Sequence, residues 1–373
     1  VAGISVSVYA PPDEEVEVVA NRLVSSITGR QVRYVTPVAP AAAQGLVAEV
    51  YAQATEEMRL VVPPLLLHSP APETLAAYWM VMRETLLAGG VVDRLGKETV
   101  AAAVAVANTS PYCVDWHSTG LYELSDADNA EAIVADRIDR ISDARIRALA
   151  RWARHAHLPD SPAAGRPLFT AAERAELVGV VVGFHYLTRM VNVFLTHHLI
   201  PPHLGPRTRR RLKYGIARLL GPTLREPTTP GRSLPLLPAG TPPQTTGWAE
   251  GNRGVAEAIA RAYPVFEAAG RRSLPVAVRR LVERRLTGWR GEEPGSGPDW
   301  CEELIAGLPE AHRPAGRLAL LTAFASDRVD ERVVGDFRRY QPTDRELVEA
   351  AAWASFAAAR HVGGWQVQTT IRG

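Results

Sequence analysis

The chain has 373 residues, 46% hydrophobic and 22% charged, which excludes disorder and supplies a sizeable core without help from disulfides or metals. Lys and Arg number 42 against 40 Asp and Glu, a formal charge of +2, so neither a basic field for nucleic acid nor an acidic tail is present. The two cysteines, Cys113 and Cys301, exclude a disulfide scaffold and a four-cysteine zinc site, and they fit a reducing, cytoplasmic compartment.

Alternation of β-branched residues is confined to Ile4–Tyr9 and Gln31–Val35, which predicts a short strand pair near the start. Val1 is not followed by a basic region and an apolar core, so no secretory signal is expected. Apolar residues at spacings of three and four then predict helices over Gln44–Met58, Pro72–Leu87, Lys97–Ala107, Tyr112–Leu124, Asp126–Ala135, Asp143–His155 and Thr170–His197. Ser69 and Thr170 stand before apolar runs as start signals, and Gly89-Gly90 closes the second helix of the series. No membrane span is expected. Leu60–Leu67 is short and broken by Pro63-Pro64, and Leu177–Leu195 carries His185, Arg189 and Asn192.

The basic run Arg207–Lys213 has no interleaved aromatic residue and reads as a solvated helix face. Seven prolines between Pro222 and Pro243 predict a linker, because proline cannot continue a helix. Helical periodicity resumes near Asn252 and runs to about Gly363, with a Gly/Pro-rich break at Gly291–Pro298. A weak internal repeat crosses the linker. Val47–Ala54 matches Val255–Ala262 at five of eight positions, and Trp79, Lys97–Asn108 and Glu176–Val178 have counterparts at Trp300, Ala315–Asp327 and Glu346–Val348. Order is kept while the offsets drift, as a duplication with an insertion around 118–165 would produce. The expected division is an extension at 1–33, a first domain at 34–220, a Pro-rich linker at 221–247 and a second repeat at 248–373.

The chemistry concentrates in Glu98–His117. A helix ending near Asn108 is followed by Ser110-Pro111, an N-cap and a first helical position. Cys113 then falls in the first turn, where the helix dipole and unpaired N–H groups favour a thiolate. His117 lies one turn further on the same face, and Glu98 from the preceding helix is the candidate to hold its other ring nitrogen. This is a nucleophile, base and orienter in the general arrangement that activates a thiol.

The spacing Glu98, Ser110, Cys113, His117 resembles the signature of the AhpD-like alkylhydroperoxidase and carboxymuconolactone decarboxylase superfamily, a Glu followed by Cys-x-x-Cys and His. Pro63–Pro72, Asp93–Glu98 and Phe184–Asn192 resemble its peroxidase-related branch. The resemblance covers about 34–200, reaches 250–365 only through the repeat, and does not include 1–30. It implies an all-α fold and homo-oligomeric assembly. It also implies a nucleophile at Cys113, its base at His117, the orienter at Glu98, and no cofactor beyond an external thiol or a thiol reductant protein. One departure matters: the resolving position is Ser110, which forms no disulfide. Oxidised Cys113 therefore needs Cys301 or an external thiol. Cys301 occupies a position that is apolar in the first copy, Met80, and reads as core.

The second copy places Gly316–Arg317, Glu331–Arg332 and Gly335–Asp336 where Glu98, Cys113 and His117 stand, so it reads as a degenerate half without a thiol or imidazole. Ser110, Tyr112, His185 and Arg189 are supporting candidates; the last two, on one helix, read either as lining the pocket near Cys113 to bind a carboxylate or peroxide, or equally as a satisfied core histidine and an interface arginine. His155-Ala-His157 and His197-His198 lack the accompanying ligands of a metal site and read as loop or surface histidines. The leading expectation is a thiol-dependent peroxidase for small organic hydroperoxides. The alternatives are a decarboxylase-like lyase or isomerase using His117 and Glu98, and a silent oligomeric ligand-binding protein.

Overall fold

The computed structural model describes residues 30–162, 169–295, 297 and 299–368, and among them the fold is all-α, as expected. The first half contains α1 (Gly45–Met58), α2 (Pro63–His68), α3 (Pro72–Met82), α4 (Arg94–Ala107), α5 (Pro111–Leu124), α6 (Ala127–Val134), α7 (Ala144–Arg154), α8 (Ala171–Phe194) and α9 (Pro206–Arg225). The second contains α10 (Arg253–Ser273), α11 (Val276–Gly288), α12 (Asp299–Ile305), α13 (Arg313–Phe324), α14 (Glu331–Arg338) and α15 (Asp344–Gln368).

At the centre lies α8. Thr170 and Glu173 form a reciprocal capping box at its start, and every residue from Ala175 to Phe194 is buried. A helix apolar on all sides must be enclosed. It is long and apolar enough to cross a membrane, yet its apolar window lies wholly inside the protein. The enclosure comes from α4 and α5 on one side and from α15, α10 and α3 on the other. Helices from both sides of the proline-rich stretch thus share one apolar core.

Local start signals explain most helix ends. Asp93, Asp126, Asp143, Asn252 and Asp330 each accept a backbone N–H of the helix they begin. Ser69 departs from its expected role. It ends α2 instead of starting α3, donating to Leu66 O and accepting from Val38 N. The predicted helix over Pro72–Leu87 is α-helical only to Met82 and widens into a π-turn at Arg83–Leu87. This turn directs two consecutive charged side chains inward. Arg83 meets Glu57 and Glu84 at 2.7 and 2.6 Å, while Glu84 accepts from Gly231 N and Ser233 Oγ.

Those bonds tie down the proline-rich stretch, which is docked rather than free. Its expected start is also overrun, since α9 continues through Pro222 to Arg225. The basic run on α9 does not simply face solvent: Arg209, Arg210 and Lys213 pair with Asp115, Asp128 and Glu131 on α5 and α6. Of the predicted strand pair, Ile4–Tyr9 lies outside the described residues. Gln31–Val35 makes one isolated antiparallel bridge, Val32 to Leu195, so its partner is the chain leaving α8 and no strand forms.

Candidate active site

Two consecutive helices build the site, joined by a tight turn. At the end of α4 the N–H of Ser110 bonds Ala105 O at 3.0 Å and that of Thr109 bonds Val106 O at 3.2 Å, a Schellman closure. The turn sets α5 to start at Pro111 with Cys113 as its third residue, as the spacing predicts. Ser110 occupies the N-cap position without making the capping bond. Its Oγ is buried and unpartnered, and it is the neighbour that pulls the Cys113 thiol downward.

Glu98 and His117 meet as expected: Oε2 lies 2.6 Å from Nδ1. Both side chains are buried. Arg94, one turn earlier on α4, donates from Nε to Glu98 Oε1 at 2.8 Å. Burial works to raise the Glu98 carboxyl, but Arg94 and His117 outweigh it and hold the group at about 2. An ionised carboxylate only accepts, so His117 donates from Nδ1 and presents Nε2 as the free nitrogen. Phe184 of α8 packs edge-on against the imidazole, with ring centroids 4.6 Å apart. The ring is fixed on both sides.

Cys113 and His117 open onto the same cavity of about 70 Å³, walled by Met58, Pro63, Tyr78, Trp116 and Leu187 among others, with Tyr112 also on its lining. The wall is predominantly apolar. Cys113 is 2% exposed, and this burial pushes its thiol up to about 12 against the Ser110 hydroxyl. The thiolate expected from helix position is therefore not the resting form. Ser110 is the polar neighbour of the thiol, and Cys113 and His117 line the same space.

Behind Tyr78 lies a polar stack that sequence reading missed. His68 lies flat on Tyr78, centroids 4.3 Å apart, with Nδ1 at 2.6 Å from Pro64 O and Nε2 at 2.7 Å from Tyr186 Oη. A carbonyl requires a donor, so Nδ1 carries the proton and Nε2 accepts from Tyr186. Desolvation lowers His68 to about 3, keeping it neutral and structural. Arg94 was legible as an i,i+4 partner of Glu98. Met58, Tyr78 and Trp116 carried no local signal.

Two supporting candidates require correction. His185 and Arg189 do not line the Cys113 cavity. Arg189 lines a second one, with Asn108, His157 and Ser326, and His185 sits behind it, its Nδ1 3.0 Å from Asn108 Nδ2 and 3.2 Å from Arg189 Nη1. Both project from the side of α8 turned toward α13, away from the face that brings Phe184 to His117. Tyr112 does stand at the thiol, its hydroxyl donating to Gln31 Oε1 at 2.8 Å. Cys301 is buried on α12 and is not part of the Cys113 cavity. Both cysteines are free thiols.

No family model matches the chain. A helical fold holding a buried thiol beside a Glu–His pair is joined by a relative that matches over nearly the full length, and the chain belongs to the AhpD-like superfamily. That relative is an alkyl hydroperoxide reductase of Mycobacterium tuberculosis, 38% identical over 335 residues, covering 90% of this chain and 94% of the relative.

Proposed function

We propose that this protein is a thiol-dependent peroxidase that reduces small organic hydroperoxides at Cys113. The observation that carries the reading is the shared apolar cavity onto which Cys113 and the Glu98-anchored His117 both open. The family and the name of the relative support the reaction class. Substrate enters a predominantly apolar pocket in which Cys113 and His117 are the reactive groups, as suits an alkyl hydroperoxide.

In the first step the Cys113 sulfur attacks the terminal peroxide oxygen and the O–O bond breaks. The thiol proton passes to His117 Nε2 and on to the departing alkoxide, giving an alcohol and a sulfenic acid at Cys113. Glu98 stabilises the imidazolium while it exists. An external thiol then displaces water from the sulfenic acid, forming a mixed disulfide. A second thiol restores Cys113 and releases the reductant's disulfide. Ser110 in place of a cysteine makes this external route the balanced one. A cytoplasmic setting, a homo-oligomeric state and a thiol protein as reductant belong to the same proposal.

The test is anaerobic treatment with one equivalent of ethyl hydroperoxide followed by mass spectrometry. A sulfenic acid at Cys113 trapped by dimedone is expected, with turnover lost in Cys113→Ser and reduced about 100-fold or more in His117→Ala. Unchanged peroxide consumption in Cys113→Ser would sink the proposal. One observation favours a second reading: the thiol is neutral while the Glu98–His117 couple is intact, which suits acid–base work by a lyase or isomerase. Activity that survives thiol alkylation but not His117→Ala selects it. The displacement of His185 and Arg189 from the cavity removes the carboxylate clamp that this second reading relied on.

A further inference from the structure

The second cavity has the features of a binding site in its own right. It occupies about 110 Å³ between the end of α4, the middle of α8 and two segments of the second half, Trp289–Pro294 and Phe324–Arg328. By the space one water needs, that accommodates roughly half a dozen non-hydrogen atoms.

Arg189 enters this space from α8 and is 6% exposed. Its Nε donates to Ala323 O at 3.0 Å and its Nη1 to His185 O at 2.6 Å. These partners are neutral carbonyls. No carboxylate of the described residues pairs with the guanidinium, and Nη2 makes no hydrogen bond to them. A buried cation without a counter-ion is costly and calls for an anion.

The neighbours are donors as well. His185 Nδ1 faces the N–H groups of Asn108 and Arg189, so the ring carries its proton on Nε2, which is buried and unpartnered. His157 lies in the cavity wall, 5.9 Å from His185 between ring centroids, and its Nδ1 is also unpartnered. Ser326 accepts from Asn192 Nδ2 at 3.1 Å, which leaves its O–H to donate. The loop over His157 is closely fitted. Gly291 adopts φ +89°, and a Cβ there would stand 1.7 Å from His157 O, so only glycine permits this closure.

Charge at the rim decides which anion. Glu292, Glu293 and Asp327 are exposed at the mouth beside Arg328, which donates to Gly295 O; with Glu292 taken up by Arg285, the two remaining carboxylates outnumber that one cation and oppose a multiply charged ligand. Trp289 and Phe324, packed edge to face at 5.5 Å, supply an apolar wall. We propose that this cavity binds a short-chain monocarboxylate, with its carboxylate on Arg189 Nη2, Ser326 and His157 and its chain against Trp289 and Phe324. The ligand joins the two halves of the chain and touches Asn108 and Thr109, the turn that leads into the Cys113 helix.

The proposal is tested by isothermal titration of the full chain with butyrate and, separately, with inorganic phosphate. Saturable binding of one butyrate per chain is expected, weaker by about tenfold or more in both Arg189→Met and His157→Phe. Arg189 also ties α8 to α13, so the half-buried His157 supplies the variant least disturbing to the fold. The absence of saturable butyrate binding overturns the assignment. So does phosphate binding more tightly than butyrate, or an unchanged butyrate affinity in a folded His157→Phe protein.

Discussion

The Cys113 thiol is subject to two opposed influences. The first turn of α5 presents N–H groups and the positive end of a dipole, which favour a thiolate by about 1–2 kcal/mol at most. An apolar cavity opposes the charge by several kcal/mol. Burial wins, and the thiol rises to about 12. In the proposed reaction the proton therefore leaves as sulfur attacks, toward a base already positioned, and not beforehand. Glu98 shows the reverse balance, because Arg94 and the hydrogen bond from His117 overcome the same burial. Its carboxyl falls from 4.5 to about 2, a shift worth on the order of 3 kcal/mol. A depressed carboxyl stabilises the fold above its unfolded pKa, and that stability drains away as pH falls through the folded value. Urea unfolding across pH 5 to 2 is expected to show this loss in the wild type and a flatter profile in Glu98→Gln. Equal slopes for the two proteins would contradict the assigned ionisation.

At the scale of elements, the turn between α4 and α5 contains a visible compromise. Thr109 sits at φ 48°, the left-handed position that a Schellman closure usually gives to glycine. A β-branched side chain is strained there. Thr109→Gly is expected to stabilise the protein by about 0.5–1 kcal/mol in urea melts, and destabilisation would show that the Thr109 side chain holds the turn. The π-turn after α3 illustrates a different limit. Periodicity predicted a continuous helix through Leu87, and the residues are helix formers throughout. What widens the helix is the demand of Arg83 and Glu84 to be buried together against Glu57 and the chain at Gly231–Ser233. That demand originates more than 140 residues away in sequence.

Across the whole molecule, α8 and α15 form the axis. In the first half α4 lies on α5 and α8, and in the second α13 lies on α14 and α15. We propose that α8 and α15 are the equivalent long helices of the tandem repeat expected from the sequence. Phe266 of α10 joins the halves: it is fully buried, with Tyr186 of α8 at 4.9 Å and Phe356 of α15 at 4.3 Å between centroids. Phe266→Ala is expected to cost about 3–5 kcal/mol. Because one core crosses the linker, calorimetry is expected to show a single transition moving to lower temperature. Two separate transitions, with only one shifted, would mean that the halves unfold independently.

The sequence by itself determined most of the helices and the placing of Glu98, Cys113 and His117 on two consecutive ones. Those features depend on local geometry: the 3.6-residue period, a Ser-Pro start and a four-residue step along one face. Tertiary structure alone decided that the thiol rests neutral, because its cavity is assembled from α1, α2, α3, α5 and α8. It also decided the separation of His185 and Arg189 from that cavity. A helix buried on every side has no single inward face, so which of its polar residues meets which neighbour is set by packing on all sides. The low cysteine content singled out Cys113 as the thiol to follow; the fold decided its charge.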